Sequence, residues 1–428
     1  MKLFISPFQH PSCLPIEVSE DDWFLSRFGI RCMEFIRSAP STRINCDLGW
    51  REQINQVTPY IDASTIYGSD METSNSVRTF KNGYNETVLR KPRGEWLPEV
   101  EDVPGVATSS TAVTVQLSFS LYATGPSPTA RPPGGELCRS GAITDDCFKP
   151  GDGRLSEQPG LTAFHTVWVR FHNKLATALT QLNPHWSDEK VFQETRKVVY
   201  SFIQHITYRE FLPIVLGPEV MELFELNLVR KGYYNKYDAR VNPSIANSFG
   251  AAAFRFGHSM VQNSYVRTDH KHRPLFNNVT LHEEQENIEN IWSFGSLDRL
   301  LLGFANQPSQ RRDEFICDEL SNHLFQAPGA PFGMDLAAIN IQRGRDHGIP
   351  SYTSWRQPCG LSPVKSWADL ERIFNVGSAH RFQSIYRHVD DIDLFSGGLA
   401  EKPVRGGVVG PTFACIIAQQ FLNLRKRR

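Results

Sequence analysis

The chain has 428 residues, of which 40% are hydrophobic and 21% charged, with a formal net charge of -1. Such a length and apolar content suit a globular protein with a sizeable core, in one domain or more. The near-zero charge gives no reason to expect nucleic acid or an anionic membrane as partner, and no run of about 18 apolar residues marks a transmembrane helix.

Met1-Lys2-Leu3-Phe4-Ile5-Ser6 starts with a positive charge, but its apolar run breaks at Ser6-Pro7. That is too short for the apolar region of a signal peptide. Asn85-Glu86-Thr87 and Asn278-Val279-Thr280 nevertheless read as glycosylation sequons and so as extracellular. From Val103 to Gly135 the only charged residue is Arg131. Val113 to Leu121 alternates apolar and polar like a strand, and GPSPTARPPGG reads as a flexible or extended linker. Segment 103–135 is therefore either a β-hairpin insertion or a stretch foreign to the fold, and the second reading is favoured because nothing nearby offers a sheet.

Helix dominates the remainder. Leu161, Phe164, Trp168, Phe171, Leu175 and Leu179 fall on one helical face, which predicts a helix over 161–181. Val191, Val198, Phe202, Ile206 and Phe211 predict another over 191–212, with Pro213 near its end. Residues 245–262 and 313–326 also read as helix, and Pro328–Gly333 as loop. There are eight cysteines, none in a CxxC pair, which argues against zinc and thioredoxin-like chemistry. Their spacing suits disulfides in an oxidising compartment, with buried cytosolic thiols as the alternative.

Three polar clusters carry chemistry: GDGRLSEQ at 151–158, RFGHSMVQ at 255–262 and NIQRGRDHG at 340–348. His258 is a single imidazole in an apolar helical setting, and Gly257 lets a flat macrocycle approach the backbone. That suits an axial iron ligand, whereas a satisfied core histidine is the plain alternative. A metal-bound histidine needs its other ring N–H held by an acceptor, a part Asn340 can play. Arg343 can pair with a haem propionate. Capping and salt bridging at a helix end are the ordinary roles for both. Arg154 and Glu157, three apart, face the same way at a helix entry. They are either an exposed ion pair or a cation that stabilises charge on a cleaving peroxide beside a carboxylate facing the macrocycle.

Over nearly the whole chain outside 103–135, these clusters resemble the animal haem peroxidases. The stretches INQVTPYIDASTIYGS, LTAFHTVWVRFHNKLATAL, ITYREFLPIVLGP, AFRFGHSMVQ, AINIQRGRDHGIPSY and GPTFACIIAQQF carry the likeness, and its tone is that of an invertebrate peroxidasin-like or chorion-type peroxidase. The resemblance implies a mainly α-helical single domain over 1–428, with little β-structure, built around haem b. It makes His258 the proximal iron ligand, Asn340 its hydrogen-bond partner, Arg154 the distal arginine, and Glu157 the candidate for an ester link to the haem. Gln158 stands where myeloperoxidases carry a sulfonium-forming methionine, so that link is not expected. Thr58, Tyr60, Asp62 and Ser64 match the family's calcium loop, and their alternating oxygens suit a hard cation. The implied disulfides are Cys13–Cys32, Cys138–Cys147 and Cys359–Cys415, leaving Cys46 and Cys317. His165, His172 and His347 belong to family motifs without a redox role.

The implied activity is that of a secreted oxidoreductase using hydrogen peroxide to oxidise halide, phenolic or tyrosyl donors, extracellular matrix proteins among its candidate partners. The family's Gln-x-x-Asp-His-Asp segment, which carries the distal base, lies upstream of Met1, and His10 in the HPSC element does not replace it. The expectation is a domain incomplete at both termini, the basic end Leu424–Arg428 included, with a non-catalytic haem- or matrix-binding protein as the alternative reading.

Overall fold

The computed structural model describes residues 12–42, 49–85, 151–276, 278–285, 287, 291 and 295–427. The linker-like stretch 103–135 and residues Cys46, Cys138 and Cys147 lie outside them. Helices form where the apolar period and the end signals agree. Helix α1 (Ser64–Tyr67) is one turn, entered through Ala63 in the left-handed region at φ 59°. Helix α2 (Pro159–Leu182) covers the predicted 161–181. The Gln158 side chain accepts the Gly160 N–H at 3.1 Å, and Pro159 occupies the first turn, where a missing N–H costs nothing.

Helix α3 (Asp188–Ile206) is capped by Ser187 and carries Asp188 and Glu189 in its first turn, where acids favour the helix dipole. It does not stop near Pro213. The chain continues through a π turn at Thr207–Phe211 into α4 (Leu212–Leu223), and Pro213 sits in the first turn of α4. The buried stripe of α3 is also rotated from the predicted one. Phe192, Thr195, Val199 and Ile203 face the core, whereas Val198 and Phe202 stay exposed.

The predicted helix 245–262 is two pieces. A short helix at Asn247–Ala251 breaks at Ala252, and a 3-10 helix, Ala253–Met260, follows. Arg255 accounts for the break, since its Nε donates to the Gly250 carbonyl at 2.9 Å, an acceptor that a continuous helix would need. The predicted helix 313–326 shrinks to one turn, Asp318–Ser321. Asp313 Oδ1 accepts the Phe315 N–H at 3.0 Å, and Leu324 pairs with Met334 through two backbone bonds of 3.2 and 2.8 Å. Local side-chain acceptors and a short ladder thus satisfy the backbone in place of helical bonds.

Strand is scarce among the described residues: the ribbons are β1 (Ile16–Glu17) with β2 (Cys32–Met33), and β3 (Ser264–Tyr265) with β4 (Val279–Thr280). The first ribbon overturns one implied disulfide. Cys32 lies opposite Glu17 and Cys13 opposite Ile36, so the two cysteines sit four steps apart along the ladder. At a strand rise of 3.3 Å that is about 13 Å, beyond the reach of a disulfide. Both are unbridged among the described residues. Cys359–Cys415 does form, with Cα atoms 5.8 Å apart.

Further helices of the frame include α5 (Ser296–Asn306), α6 (Leu336–Asp346), α7 (Tyr352–Arg356), α8 (Leu394–Ala400) and α9 (Pro411–Arg427). Two apolar cores result. The larger centres on Phe249, Phe254 and Phe421, whose rings lie 4.5 to 6.0 Å apart. The smaller gathers Phe164, Tyr265, Leu297, Leu300 and Phe304. The 3-10 helix and α6 lie where the cores meet: Phe254, Phe256 and Ile341 face the larger, Val261, Leu336 and Ile339 the smaller. Beneath them the fully buried Glu401 ties α7 to α9, accepting from Tyr352 Oη at 2.6 Å, Arg356 Nη1 at 2.8 Å and the Thr412 N–H at 2.8 Å. The basic C-terminal stretch has a structural use that the sequence did not suggest. Arg425 lies 4.2 Å over the Tyr234 ring and Arg427 5.6 Å over Tyr237, so α9 clasps the 225–238 loop.

Candidate active site

His258 is presented by the 3-10 helix at the junction of the two cores. Its neighbours Phe256, Gly257 and Ser259 are buried, and His258 itself is half-buried, with its ring Nδ1 out of contact with solvent. Burial first, and then the charge of Arg255, push its pKa down to about 3, while a hydrogen bond with the Asn340 side chain opposes the shift. The ring is therefore neutral at ordinary pH, the state in which a metal can take it.

Asn340 is fully buried on α6, whose N-terminus is fixed by Asp335 accepting the N–H groups of Ala337 and Ala338 at 2.8 and 3.1 Å. Its carboxamide orientation is set from both ends. Nδ2 donates to the Leu336 carbonyl, and Oδ1 accepts from Arg255 Nη1 at 2.7 Å. The oxygen is thus presented as the acceptor, which suits a ring N–H of His258. Arg255, missed in the sequence reading, is what fixes it. Burial pushes the pKa of Arg255 down to about 9, with the charges of Arg343 and Arg154 adding to the effect and Glu157 opposing it. A charged residue inside Ala251–Phe256 was the available signal.

Arg154 and Glu157 lie in successive turns ahead of α2, the Glu157 N–H reaching the Arg154 carbonyl at 3.1 Å. The Arg154 guanidinium is forked on Asp152, with Nε to Oδ1 at 2.8 Å and Nη2 to Oδ2 at 2.6 Å. Burial works against the charge of Arg154, but the Asp152 bonds and charge outweigh it and hold its pKa above the usual arginine range. Glu157 acts on both Arg154 and Arg255, so these sequence-distant groups share one electrostatic neighbourhood with His258. Gln158 serves as the α2 cap, and Tyr265 Oη donates to its Oε1 at 3.3 Å.

The Arg343 guanidinium is tied to neighbouring protein groups. Its Nη1 pairs with Asp346 at 3.2 Å and donates to the Ile36 carbonyl at 3.0 Å, and its guanidinium covers the Phe35 ring at 4.1 Å. These bonds fasten segment 35–38 to α6, and Arg37 joins them through Asp346 at 2.6 Å. His347 belongs to the same knot, sharing a hydrogen bond with Ser38 Oγ at 2.7 Å. His172 is likewise held by protein, with Tyr67 Oη at 2.8 Å and the Gly83 carbonyl at 3.0 Å. Neither it nor His165, bonded to the Leu161 carbonyl at 2.8 Å, forms a metal cluster among the described residues.

In the expected cation loop, the Tyr60 N–H donates to Thr58 Oγ1 at 3.2 Å and the Ser64 N–H to Asp62 Oδ1 at 3.0 Å. The loop holds one carboxylate plus hydroxyl and carbonyl oxygens, a hard-donor set short of the six to eight oxygens calcium takes. For haem the donor set fits better: a neutral imidazole, an acceptor steering it, and buried guanidinium groups of the sign that propionates need.

Residues 4–427 match the family described as Animal haem peroxidase. The chorion peroxidase of Drosophila melanogaster is 38% identical over 427 residues, covering 99% of this chain and 48% of that protein. Peroxidasin of Drosophila melanogaster is 35% identical, covering 97% of this chain and 26% of that protein. The chain thus spans about half or less of the length of these curated relatives. Among solved structures, peroxidase A from Dictyostelium discoideum superposes with a TM-score of 0.75 at 32% identity, over 98% of this chain and 74% of that one. A match across almost every residue, with relatives above 30% identity and a shared helical architecture, shows that the chain belongs to the animal haem peroxidase family.

Proposed function

We propose that this chain is the haem-binding catalytic domain of a secreted peroxidase that oxidises halide or phenolic donors, tyrosyl groups of matrix proteins included. One observation supports the reading most: Arg154 and Glu157 act electrostatically on Arg255, which donates to Asn340, which is bonded to His258. Three clusters far apart in sequence form one network. When bound, haem b supplies the redox chemistry, accepting oxidation by peroxide and electrons from the donor.

The residues have separate tasks. His258 offers a neutral nitrogen to iron while the Asn340 oxygen holds the other ring N–H, which raises the basicity of the ligand. Arg255 keeps that oxygen in place. Arg154 presents a fixed cation to charge that develops as the peroxide bond separates. Glu157 is the carboxylate that would form an ester to the macrocycle. Thr58, Tyr60, Asp62 and Ser64 are the groups that would hold calcium, at the entrance to α1. Secretion is supported by the Cys359–Cys415 disulfide and by Asn278, the exposed first residue of its sequon. The Asn85 sequon does not support it, because that residue is buried and bonded to Asn173 at 3.0 Å. No described helix is long and apolar enough to cross a membrane.

The test is reconstitution with haem b followed by peroxide-dependent oxidation of a phenol. The expected result is turnover above free haem, reduced about 10²-fold by Arg154→Leu. Haem uptake with turnover no better than free haem would favour a non-catalytic haem-binding role.

A further inference from the structure

The turn that carries Arg154 contains a second ionised group with no part in the reading above. Asp152 meets Arg154 three times: Oδ1 accepts Nε at 2.8 Å and the backbone N–H at 3.0 Å, and Oδ2 accepts Nη2 at 2.6 Å. Both side chains are nearly buried, 12% exposed for Asp152 and 13% for Arg154. A planar fork with two parallel bonds fixes a guanidinium in position and in rotation, which one hydrogen bond does not. The backbone bond fixes the carboxylate in turn. The turn itself is pressed onto α1: a Cβ on Gly151 would lie 2.6 Å from the Ser64 carbonyl oxygen and 2.6 Å from the Ile66 carbonyl carbon. The carboxylate is thus seated on a rigid ledge.

We propose that Asp152 is a positioning residue for Arg154, clamping one edge of the guanidinium so that the cation is held at a fixed place and angle relative to the ligand that the site takes. The proposal rests on the peroxidase reading and goes beyond it in naming what aims the distal cation. Asp152 stays ionised to do so. Burial favours its protonated form, but the bonds and charge of Arg154 win and hold its pKa below the usual carboxylate value. A carboxylate that only secured the turn would leave the response of the site to an anion unchanged.

Fluoride, a small anion that binds ferric haem, separates the two roles. The full chain loaded with haem b is titrated with fluoride and the shift of its visible bands followed, for the parent, Asp152→Asn, Arg154→Leu and the double variant. The expected result is about tenfold weaker fluoride binding or more in Asp152→Asn, a similar loss in Arg154→Leu, and little further loss in the double variant, since the two residues act as a unit. Haem affinity should be unchanged within about twofold, because neither group is an iron ligand. Parent-like fluoride affinity in Asp152→Asn, with Arg154→Leu weakened, would overturn the proposal alone. Fluoride affinity untouched in Arg154→Leu would overturn the assignment of Arg154 and the proposal with it. Should Asp152→Asn fail to fold, Asp152→Glu takes its place, with an affinity expected between the parent and Arg154→Leu. A parent-like value there would contradict the clamp.

Discussion

An imidazole serves a metal only when neutral, and in this chain burial enforces that state more than once. His258 is pushed to about 3, and His172 to about 4 by burial first, with the charge of Arg78 adding and the Gly83 carbonyl opposing. The consequence for stability has a definite sign. An unfolded histidine titrates near 6.5, so between roughly pH 6.5 and 4 the unfolded chain binds more protons than the folded one. The contribution of His172 is complete above about 6.5 and is lost as pH falls through that window, at about 1.4 kcal/mol per pH unit. Denaturant unfolding should show a chain less stable at pH 5 than at pH 7 by about 2 kcal/mol from this group alone. Equal stability at the two values would contradict its burial as a neutral base. Asn340→Leu provides a second test, since it removes the oxygen that Arg255 and His258 share. Stranding buried donors costs about 1–3 kcal/mol, readable in the same unfolding experiment. A variant as stable as the parent would show that those donors do not depend on it. His258, Asn340, Arg154 and Glu157 were singled out in the sequence because each stands in a recognisable motif. Arg255 and Asp152 stood within those same motifs and were passed over: the partner of Arg255 lies across the fold on Asn340, and an Asp two residues from an Arg reads as an exposed ion pair until its burial is known.

At the scale of elements, the sequence carried period better than phase. Helix α2 was legible because its apolar stripe and its Gln158-Pro159 start agree. The stripe of α3 was read about a residue out of register, since Phe202 looks like core but packs on Phe171 at the surface, with rings 5.4 Å apart. The π turn at Thr207–Phe211 was not visible, because no residue type demands it; it carries the chain past Pro213 without a break. The Cys13–Cys32 pairing failed for a similar reason: matching cysteines by likeness says nothing of ladder register. The junction of the Gly151 turn with α1 makes its own prediction. Gly151→Ala would drive a methyl group into the backbone of Ser64–Gly68, where nothing flexible can yield. Overpacking of this kind costs about 1–3 kcal/mol. Circular dichroism melts should show the loss, and an unchanged melt would mean that the turn has room the structure does not show.

At the scale of the whole molecule, two cores meet around His258 and Asn340, and one described disulfide anchors the larger. Cys359 and Cys415 close a span of 56 residues that joins α9 to the segment after α7. Loop-closure entropy for such a span gives about 4 kcal/mol, so the Cys359→Ser, Cys415→Ser double variant should lose about that much in a reversible unfolding measurement. A loss below about 1 kcal/mol would mean that the buried Glu401 network holds those helices without it. Fold class and helical content were legible from the sequence. What it did not carry is long-range pairing: which arginine meets which acid, and where the two cores touch.

The most direct test of the account is an optical titration of haem b into the purified chain and into His258→Ala, followed at the Soret band. The account predicts saturable uptake by the parent and at least about tenfold weaker uptake by the variant, with the spectrum of an imidazole-ligated iron lost, since removing a metal ligand costs at least as much as the 10- to 100-fold typical of its supporting partners. Identical affinity and identical spectra for the two proteins would contradict it.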